Sequence, residues 1–203
     1  GIKGKNAIVT GGSHGIGLET AKLLASEGCN VAILARDVGK LFNAKKIIES
    51  FGVQCLAVQV DVLFRNEIEN SFEVIKSRWD NIDILINNVG GGGRWGTEDF
   101  VNNSEIVWDE VYQKNMMAAI SYTRFAIPYM IKQNLMKNLS LNKDLVRNGI
   151  TFNSVAPGCI MIPNTGWEKE MKKNPAEFQK MVDSKFPLGR LGKPEEVAYT
   201  ILM

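Results

Sequence analysis

The sequence predicts a single doubly wound α/β domain, in which helices cover both faces of a parallel sheet. In the first half of the chain, apolar runs of five or six residues alternate with amphipathic segments. Such uninterrupted apolar strands are typical of parallel sheets that are buried on both faces. A glycine cluster separates the first run from the first amphipathic segment, as a tight turn requires. With 45% apolar and 23% charged residues, residues 1–203 can form one domain with a sizeable core.

The individual elements follow from the same patterns, taken in chain order. We expect strands at Asn6–Thr10, Asn30–Ala35, Cys55–Val60 and Ile82–Ile86, and helices that begin near Leu18, Val38 and Asn66. Further along, we expect a long amphipathic helix from about Glu105 to Met130, a strand at Ile150–Val155 and a last helix from Glu195. The strand order is not visible in the pattern, but right-handed crossovers leave few arrangements.

Charge and composition bear on the class of protein. The net charge of +2 gives no reason to expect nucleic acid or a membrane surface as partner. The three cysteines are far apart and odd in number, as in reduced cytosolic proteins. No apolar run approaches the ~20 residues of a membrane span, and no secretory signal precedes the first strand. We therefore expect a cytoplasmic protein, and we expect no metal site.

The strongest chemical signal is VTGGSHGIG, which runs from Val9 to Gly17 between the first strand and the first helix. Glycine permits positive φ angles and allows a dinucleotide pyrophosphate to approach the backbone. The start of the following helix offers N–H groups and a partial positive charge. The alternative is that the glycines only form a tight turn. The predicted cofactor-binding residues of this loop are Gly11, Ser13, His14, Gly15, Ile16 and Gly17.

Four further motifs extend this pattern: NNVG from Asn87 to Gly90, WDEVYQKN ending at Asn115, NSVAPG from Asn153 to Gly158, and FPLGRLGKPEEVA from Phe186 to Ala198. Together with the glycine loop, they resemble the motifs of the short-chain dehydrogenase/reductase family, most closely its 3-oxoacyl-acyl-carrier-protein reductases. The resemblance implies a Rossmann-type sheet. It also implies that Asn115 belongs to the catalytic tetrad, and that the cofactor is contacted by Asn87, Val89, Gly90, Pro157, Gly158 and Ile160.

The residues after the second strand bear on the choice of cofactor. An NAD enzyme of this type ends that strand with an acidic residue that binds the ribose hydroxyls, but here the chain reads Ala35-Arg36-Asp37. The Arg36 guanidinium can hold the 2′-phosphate of NADP through two parallel hydrogen bonds. NADP-preferring members of the family that the sequence resembles often carry a base in this loop, and by that resemblance His14 would add weakly to the phosphate site. NADP is therefore favoured over NAD. Asp37 keeps NAD open if the strand ends one residue later, and a solvated Arg–Asp turn is the structural alternative.

Two further positions have both a cofactor role and a structural alternative. Asp61, with Val62 beside it after the third strand, resembles the residue that contacts adenine, but it would equally serve to cap the next helix. Asn87 resembles a residue that lies beside the cofactor. A buried asparagine that bonds neighbouring backbone would have the same sequence signature, and both roles are compatible.

The family's proton donor is absent from the sequence. Relatives carry a serine on the fifth strand and Tyr-x-x-x-Lys in the next helix, for general-acid and oxyanion roles. None of the four tyrosines is followed four residues later by lysine. The resemblance implies that roughly thirty residues, about one strand–helix unit, are missing between Asn134 and Leu135. The final strand of the family is also missing. Either the sequence omits residues that the natural polypeptide has, or the protein is a truncated, catalytically silent relative.

The resulting hypothesis is an NADP(H)-dependent oxidoreductase that interconverts a carbonyl and a secondary alcohol. 3-Oxoacyl thioesters are the candidate substrates, and the expected partner is a small-molecule carbonyl or alcohol. The rival hypothesis is a catalytically silent NADP-binding relative that acts as a sensor or scaffold. By resemblance alone, we expect a homotetramer or homodimer.

Overall fold

The computed structural model describes residues 1–91, 104–133 and 149–203. Within these ranges, four parallel strands form one sheet in the order β3-β2-β1-β4. Their bounds are β1 Asn6–Thr10, β2 Asn30–Ala35, β3 Cys55–Gln59 and β4 Ile84–Ile86. Strand β1 is central, because Ala7 is in register with Val31 of β2 on one side and with Ile84 of β4 on the other.

Helices connect the strands and continue through the second half of the chain. The helices of the first half are α1 Gly15–Ser26, α2 Val38–Glu49 and α3 Arg65–Lys76. Those of the second half are α4 Glu105–Tyr112, α5 Ala118–Gln133, α6 Gly166–Lys173, α7 Pro175–Lys185 and α8 Pro194–Leu202. A π-helical segment, Gln113–Met117, joins α4 to α5. Among the described helices, none has both the length and the hydropathy that crossing a lipid bilayer requires.

The alternation of side chains along β1 divides the core into two layers. Ile8 belongs to a buried cluster that contains Phe72 of α3 and Tyr122 of α5. Its neighbours Ala7 and Val9 belong to the opposite cluster, in which α1 and α2 contribute Ala21, Leu24, Ala25, Leu41, Ala44 and Ile48. Helices therefore bury both faces of the sheet. The predicted doubly wound α/β fold is confirmed, with element ends that differ from the prediction by a few residues.

A buried hydroxyl pair joins α3 to α5 inside this core. Tyr122 is 0% exposed, and its hydroxyl lies 2.9 Å from the Ser71 hydroxyl. Ser71 donates its own proton to the Ile68 carbonyl at 2.7 Å, so the tyrosine is the donor to Ser71. Burial raises the pKa of Tyr122 to about 12. The side chain is thus a structural group, held neutral in the core.

We expect Tyr122→Phe to lower the free energy of unfolding by about 1 kcal/mol, because a buried hydrogen bond is lost while the ring packing is kept. Urea unfolding followed by circular dichroism measures this difference. The control is Tyr199→Phe, which removes a hydroxyl from a side chain that is 61% exposed and should leave the unfolding midpoint unchanged. Equal effects of the two substitutions would contradict the assignment of a stabilising buried pair.

The predicted strand at Ile150–Val155 is not formed, and that prediction is wrong. The backbone of residues 150–158 makes no hydrogen bond with any other described residue. β4 pairs with β1 at one edge, and no strand of the described ranges lies at its other edge. Because a strand needs a hydrogen-bonded neighbour, an apolar run without one does not become part of a sheet.

Candidate nucleotide-binding site

A groove of about 1430 Å³ opens at the carboxyl ends of β1, β2 and β4 and extends along β4. Open α/β sheets bind their ligands at this edge. Most of the predicted site residues line the groove: Gly11, Ser13, His14, Gly15, Ile16, Arg36, Val62, Asn87, Val89, Gly90, Asn115 and Pro157. The predicted residues outside this lining are Gly17, Asp61, Gly158 and Ile160.

The glycine loop is built so that backbone, rather than side chains, faces the groove. Gly11 and Gly15 have φ angles of +66° and +57°, a region that favours glycine. Gly17 lies behind the loop, where a Cβ would be 2.3 Å from the Gly11 carbonyl oxygen. Helix α1 then begins with no acidic side chain in its first turn and no side-chain hydrogen bond from its N-cap, His14. This arrangement suits a pyrophosphate, which binds backbone N–H groups and the positive end of the helix dipole.

Asn88 and Thr10 hold the loop in place, and neither was among the predicted residues. The Asn88 amide donates to the carbonyls of Thr10 and Gly11 at 3.0 and 3.3 Å. The Thr10 hydroxyl oxygen accepts the N–H groups of Asn88 and Val89 at 2.9 and 3.0 Å. Asn87 is exposed and donates to the Thr123 hydroxyl at 3.0 Å, so it is not the buried, backbone-bonding asparagine of the structural alternative. No local sequence pattern indicates the contact between Thr10 and Asn88, because the two residues are 78 positions apart in the chain.

The residue at which β2 ends determines the positions of Arg36 and Asp37, which bear on the choice between NADP and NAD. β2 ends at Ala35, so Arg36 is the first residue beyond it, as expected. The Asp37 carboxylate accepts the Lys40 N–H at 2.9 Å and caps helix α2. It is therefore engaged at the helix start, which weakens the alternative of an NAD-type ribose ligand. Arg36 is 60% exposed and lies 3.6 Å from the Asp61 carboxylate, a single loose contact.

Asp61 organises the turn between β3 and α3. Its carboxylate accepts the Leu63 N–H at 3.1 Å, and its own N–H donates to Glu67 at 2.7 Å. The adjacent Val62 lines the groove. Asp61 does not cap α3, because the N-cap residue of that helix is Phe64. Asp61 instead stabilises the turn before the helix, and its contact with adenine stays a prediction.

Asn115 lies in the π-helical segment and ties it to the loop after β4. Its amide donates to the carbonyls of Val111 and Gly91 at 2.8 and 3.1 Å, and its amide oxygen accepts the Gly91 N–H at 3.0 Å. Val111 carries the carbonyl that the Asn115 N–H would bind in an α-helix, so the side chain competes for this acceptor. π-Helical turns inside α-helices are frequent at functional sites.

The segment after Pro157 closes the groove above the start of α1. Ile162 packs against Gly15, where a Cβ would be 3.1 Å from its side chain. Ile160 instead forms a β-bridge with Gly192, and Met161 donates its N–H to the Gly192 carbonyl at 2.8 Å. Ile160 thus anchors the segment from outside the groove lining, while Pro157 and Ile162 line it.

The tyrosines are placed away from this groove. All four tyrosines of the chain lie in the described ranges, and none of them lines the groove. Tyr122 is fully buried, and Tyr112 and Tyr199 are exposed. Tyr129 packs on Phe72 in the core, with ring centroids 5.5 Å apart. None of them is positioned to give a proton to a ligand in the groove.

Comparison with known proteins agrees with this geometry. A model of the short chain dehydrogenase family matches residues 5–138. The chain is 30% identical to the 3-oxoacyl-[acyl-carrier-protein] reductase FabG of Thermotoga maritima, over 99% of this chain and 90% of that protein. The same identity and coverage hold for FabG of Aquifex aeolicus. The structure of L-sorbose reductase from Gluconobacter frateurii, in complex with NADPH and L-sorbose, has a TM-score of 0.87 and 27% identity, over 100% of this chain and 89% of that one.

The fold and the groove thus define a dinucleotide-binding oxidoreductase of the Rossmann type. The chain belongs to the short chain dehydrogenase family, and by family it is an NAD(P)-dependent oxidoreductase that acts on CH–OH groups. The predicted resemblance to 3-oxoacyl-acyl-carrier-protein reductases is confirmed. The residues present fit NADP. The glycine loop leaves no room for a Cβ at Gly17, so backbone lies close to the pyrophosphate position, and a cation, Arg36, directly follows β2. NADP, the predicted cofactor, also agrees with the NADPH of the sorbose reductase complex.

The relatives contain a stretch that this chain lacks. The alignment with the Thermotoga maritima reductase extends over 234 positions, whereas 99% of a 203-residue chain fills only about 201 of them. About thirty positions therefore have no counterpart here. The family match ends at residue 138, close to the predicted junction between Asn134 and Leu135. The junction itself lies outside the described residues.

Proposed function

We propose that the protein is an NADPH-dependent reductase of 3-oxoacyl thioesters, which it converts to 3-hydroxyacyl thioesters. The observation that carries the dinucleotide part of this proposal is the groove in which the glycine loop and Arg36 lie together. The thioester part is supported by the relatives named as 3-oxoacyl-[acyl-carrier-protein] reductases. NADPH supplies the hydride when it is bound.

Each group of the chain has a distinct task in this proposal. The loop from Gly11 to Gly15 and the start of α1 bind the pyrophosphate through N–H groups and the helix dipole. Arg36 binds the 2′-phosphate through charged hydrogen bonds. Asn115 holds the backbone at Gly91, which fixes the wall of the groove beside Gly90. Together they orient the dinucleotide along the carboxyl edge of the sheet.

The proposed reduction also needs a proton donor, which none of the four tyrosines is positioned to be. We propose that the natural polypeptide has about thirty more residues between Asn134 and Leu135, with the family's serine, tyrosine and lysine. The proposal is supported by the unmatched alignment positions, by the edge of β4 at which no strand of the described ranges lies, and by the failure of Ile150–Val155 to form a strand. An intact-mass measurement on the protein from its natural source tests it. A mass above 22.5 kDa with a Tyr-x-x-x-Lys peptide at this junction is expected, and a continuous Asn134–Leu135 peptide in all of the protein would overturn it.

The alternative function is a catalytically silent NADP-binding protein, and one observation favours it. No tyrosine lines the groove of the 203-residue chain. Both functions include NADPH binding, so turnover separates them. Absorbance of NADPH with an acetoacetyl thioester should fall if the reductase proposal holds for the natural polypeptide. Saturable NADPH binding without a fall in NADPH absorbance would favour the catalytically silent NADP-binding protein.

We also propose a cytoplasmic homotetramer or homodimer that associates through α4 and α5. Apolar side chains lie exposed at four-residue spacing along α4, the π-helical segment and the start of α5: Trp108, Tyr112, Met116 and Ile120, at 46%, 52%, 51% and 41% exposure. Residues four apart share one helix face, so these side chains form a continuous apolar stripe. Light scattering should give a multiple of the chain mass, and a monomer at all concentrations would contradict this assembly.

A further inference from the structure

His14 joins the glycine loop to the segment that closes the groove. It is the N-cap residue of α1, but its side chain makes no hydrogen bond to that helix. The imidazole instead hydrogen-bonds the Pro163 carbonyl, about 150 positions further along the chain. The side chain therefore connects two elements of the site rather than stabilising the helix that it precedes.

An apolar contact lies beside this hydrogen bond. A Cβ at Gly15 would be 3.1 Å from the Ile162 side chain, so Ile162 lies directly against the backbone at the start of α1. The Ile162 carbonyl accepts the Thr165 hydroxyl at 2.6 Å, which holds the turn that contains Pro163. The segment thus meets the glycine loop through two adjacent contacts, one polar and one apolar.

The same segment is anchored on its far side and forms one wall of the groove. Met161 donates its N–H to the Gly192 carbonyl at 2.8 Å, away from the groove. Pro157, Ile162 and Thr165 line the groove itself, opposite the glycine loop. A dinucleotide that lies along the glycine loop is therefore covered by this segment.

The protonation state of His14 agrees with a donor role toward Pro163. Burial, and next the positive charge of Lys40, lower the pKa of His14, while the hydrogen bond to the Pro163 carbonyl acts in the opposite direction. The imidazole is therefore mainly neutral at pH 7 and carries a single N–H. Because a carbonyl can only accept, Pro163 takes that N–H. A neutral ring with its N–H engaged offers little to a phosphate group.

We propose that His14 is a positioning residue, which holds the 157–165 segment closed over the bound dinucleotide and so slows its release. This inference rests on the proposed NADP-binding function. Release requires the segment to move away from the glycine loop, and this movement breaks the His14–Pro163 hydrogen bond and the contact between Ile162 and Gly15. NADPH and NADH are covered in the same way, so His14 retains both of them equally. A 2′-phosphate contact would retain NADPH alone.

Stopped-flow measurement of release tests this role. NADPH or NADH bound to the protein is displaced by excess NADP⁺, and the loss of bound nicotinamide fluorescence gives the rate. For His14→Leu we expect release of both dinucleotides to be about fivefold faster, as for the loss of one hydrogen bond. His14→Gln keeps an N–H donor and should stay close to the wild type. The control is Glu19→Gln in α1, because Glu19 lines the cleft beside His14 but pairs with Lys22 at 2.6 Å. It should leave both rates unchanged.

A second variant makes the test independent of the N-cap position. Ile162→Ala removes the apolar contact with Gly15 and should also speed the release of both dinucleotides, and circular dichroism establishes that each variant is folded. Should His14→Leu fail to fold, unchanged release in Ile162→Ala would overturn the inference.

Three results with folded His14→Leu would overturn it as well: faster release of NADPH alone, unchanged release of both dinucleotides, or equal rates in the Leu and Gln variants. In each case NADPH binding by the wild-type protein still stands. If the wild-type protein binds neither dinucleotide, the proposed function and this inference fall together.

Discussion

Gly17→Ala is expected to abolish measurable NADPH binding and to lower the free energy of unfolding by about 1–3 kcal/mol. An added Cβ would lie 2.3 Å from the Gly11 carbonyl oxygen and 2.4 Å from the Asn88 amide nitrogen. Both atoms belong to the hydrogen-bonded support of the loop and cannot move without breaking the Asn88–Gly11 contact. The strain therefore reaches the backbone that is to receive the pyrophosphate.

Urea unfolding and a fluorescence titration with NADPH measure the two effects of Gly17→Ala. The matched control is Gly166→Ala at the start of α6, where an added Cβ meets nothing within 4 Å. Alanine there should leave NADPH binding unchanged and leave stability unchanged or slightly higher, because alanine favours helix over glycine. Normal NADPH affinity in Gly17→Ala would contradict the role of this loop as the pyrophosphate cradle.

Arg36→Ala is expected to weaken NADPH binding by about 10- to 100-fold and to leave NADH binding unchanged. The guanidinium is the first side chain beyond β2, and it lines the groove. Its charged hydrogen bonds would reach only the 2′-phosphate, which NADH lacks. The ratio of the two affinities should therefore fall, rather than both affinities together.

Calorimetric titration of both nucleotides gives this ratio for Arg36→Ala. Arg65→Ala serves as the control, because Arg65 is an exposed arginine of α3 whose partner is Glu69 at 3.0 Å and which does not line the groove. It changes the net charge equally and should leave the ratio as in the wild type. A parallel loss of NADPH and NADH affinity in Arg36→Ala would show that the residue supports the fold rather than the phosphate.

The strands of the first half were predictable because each apolar run both forms a strand and finds a neighbour. β1 and β2 illustrate this, since their runs pair in register over their lengths. Ile150–Val155 has the same kind of sequence but finds no neighbour in the described ranges, and no strand forms. Strand formation is a property of a pair of segments, whereas the sequence pattern reports on one segment at a time.

Some residues of the candidate site could likewise be predicted from local sequence, and others could not. The glycine loop and Arg36 were predictable, because the signal is local and lies at the end of a predicted strand. Thr10 and Asn88 act on each other across 78 positions of the chain, and no local pattern connects them. Lys40 lines the groove from the first turn of α2, although it belongs to none of the predicted motifs. Such residues are found from geometry rather than from spacing.

We infer that Gly11–Gly17 and Arg36 together form the binding site for a phosphorylated nicotinamide dinucleotide. Calorimetry of the wild-type protein with NADPH and with NADH tests it most directly, since it needs no substrate and no proton donor. We expect saturable NADPH binding at a one-to-one ratio and NADH binding that is at least about tenfold weaker. Absence of binding by both nucleotides at millimolar concentration would contradict it.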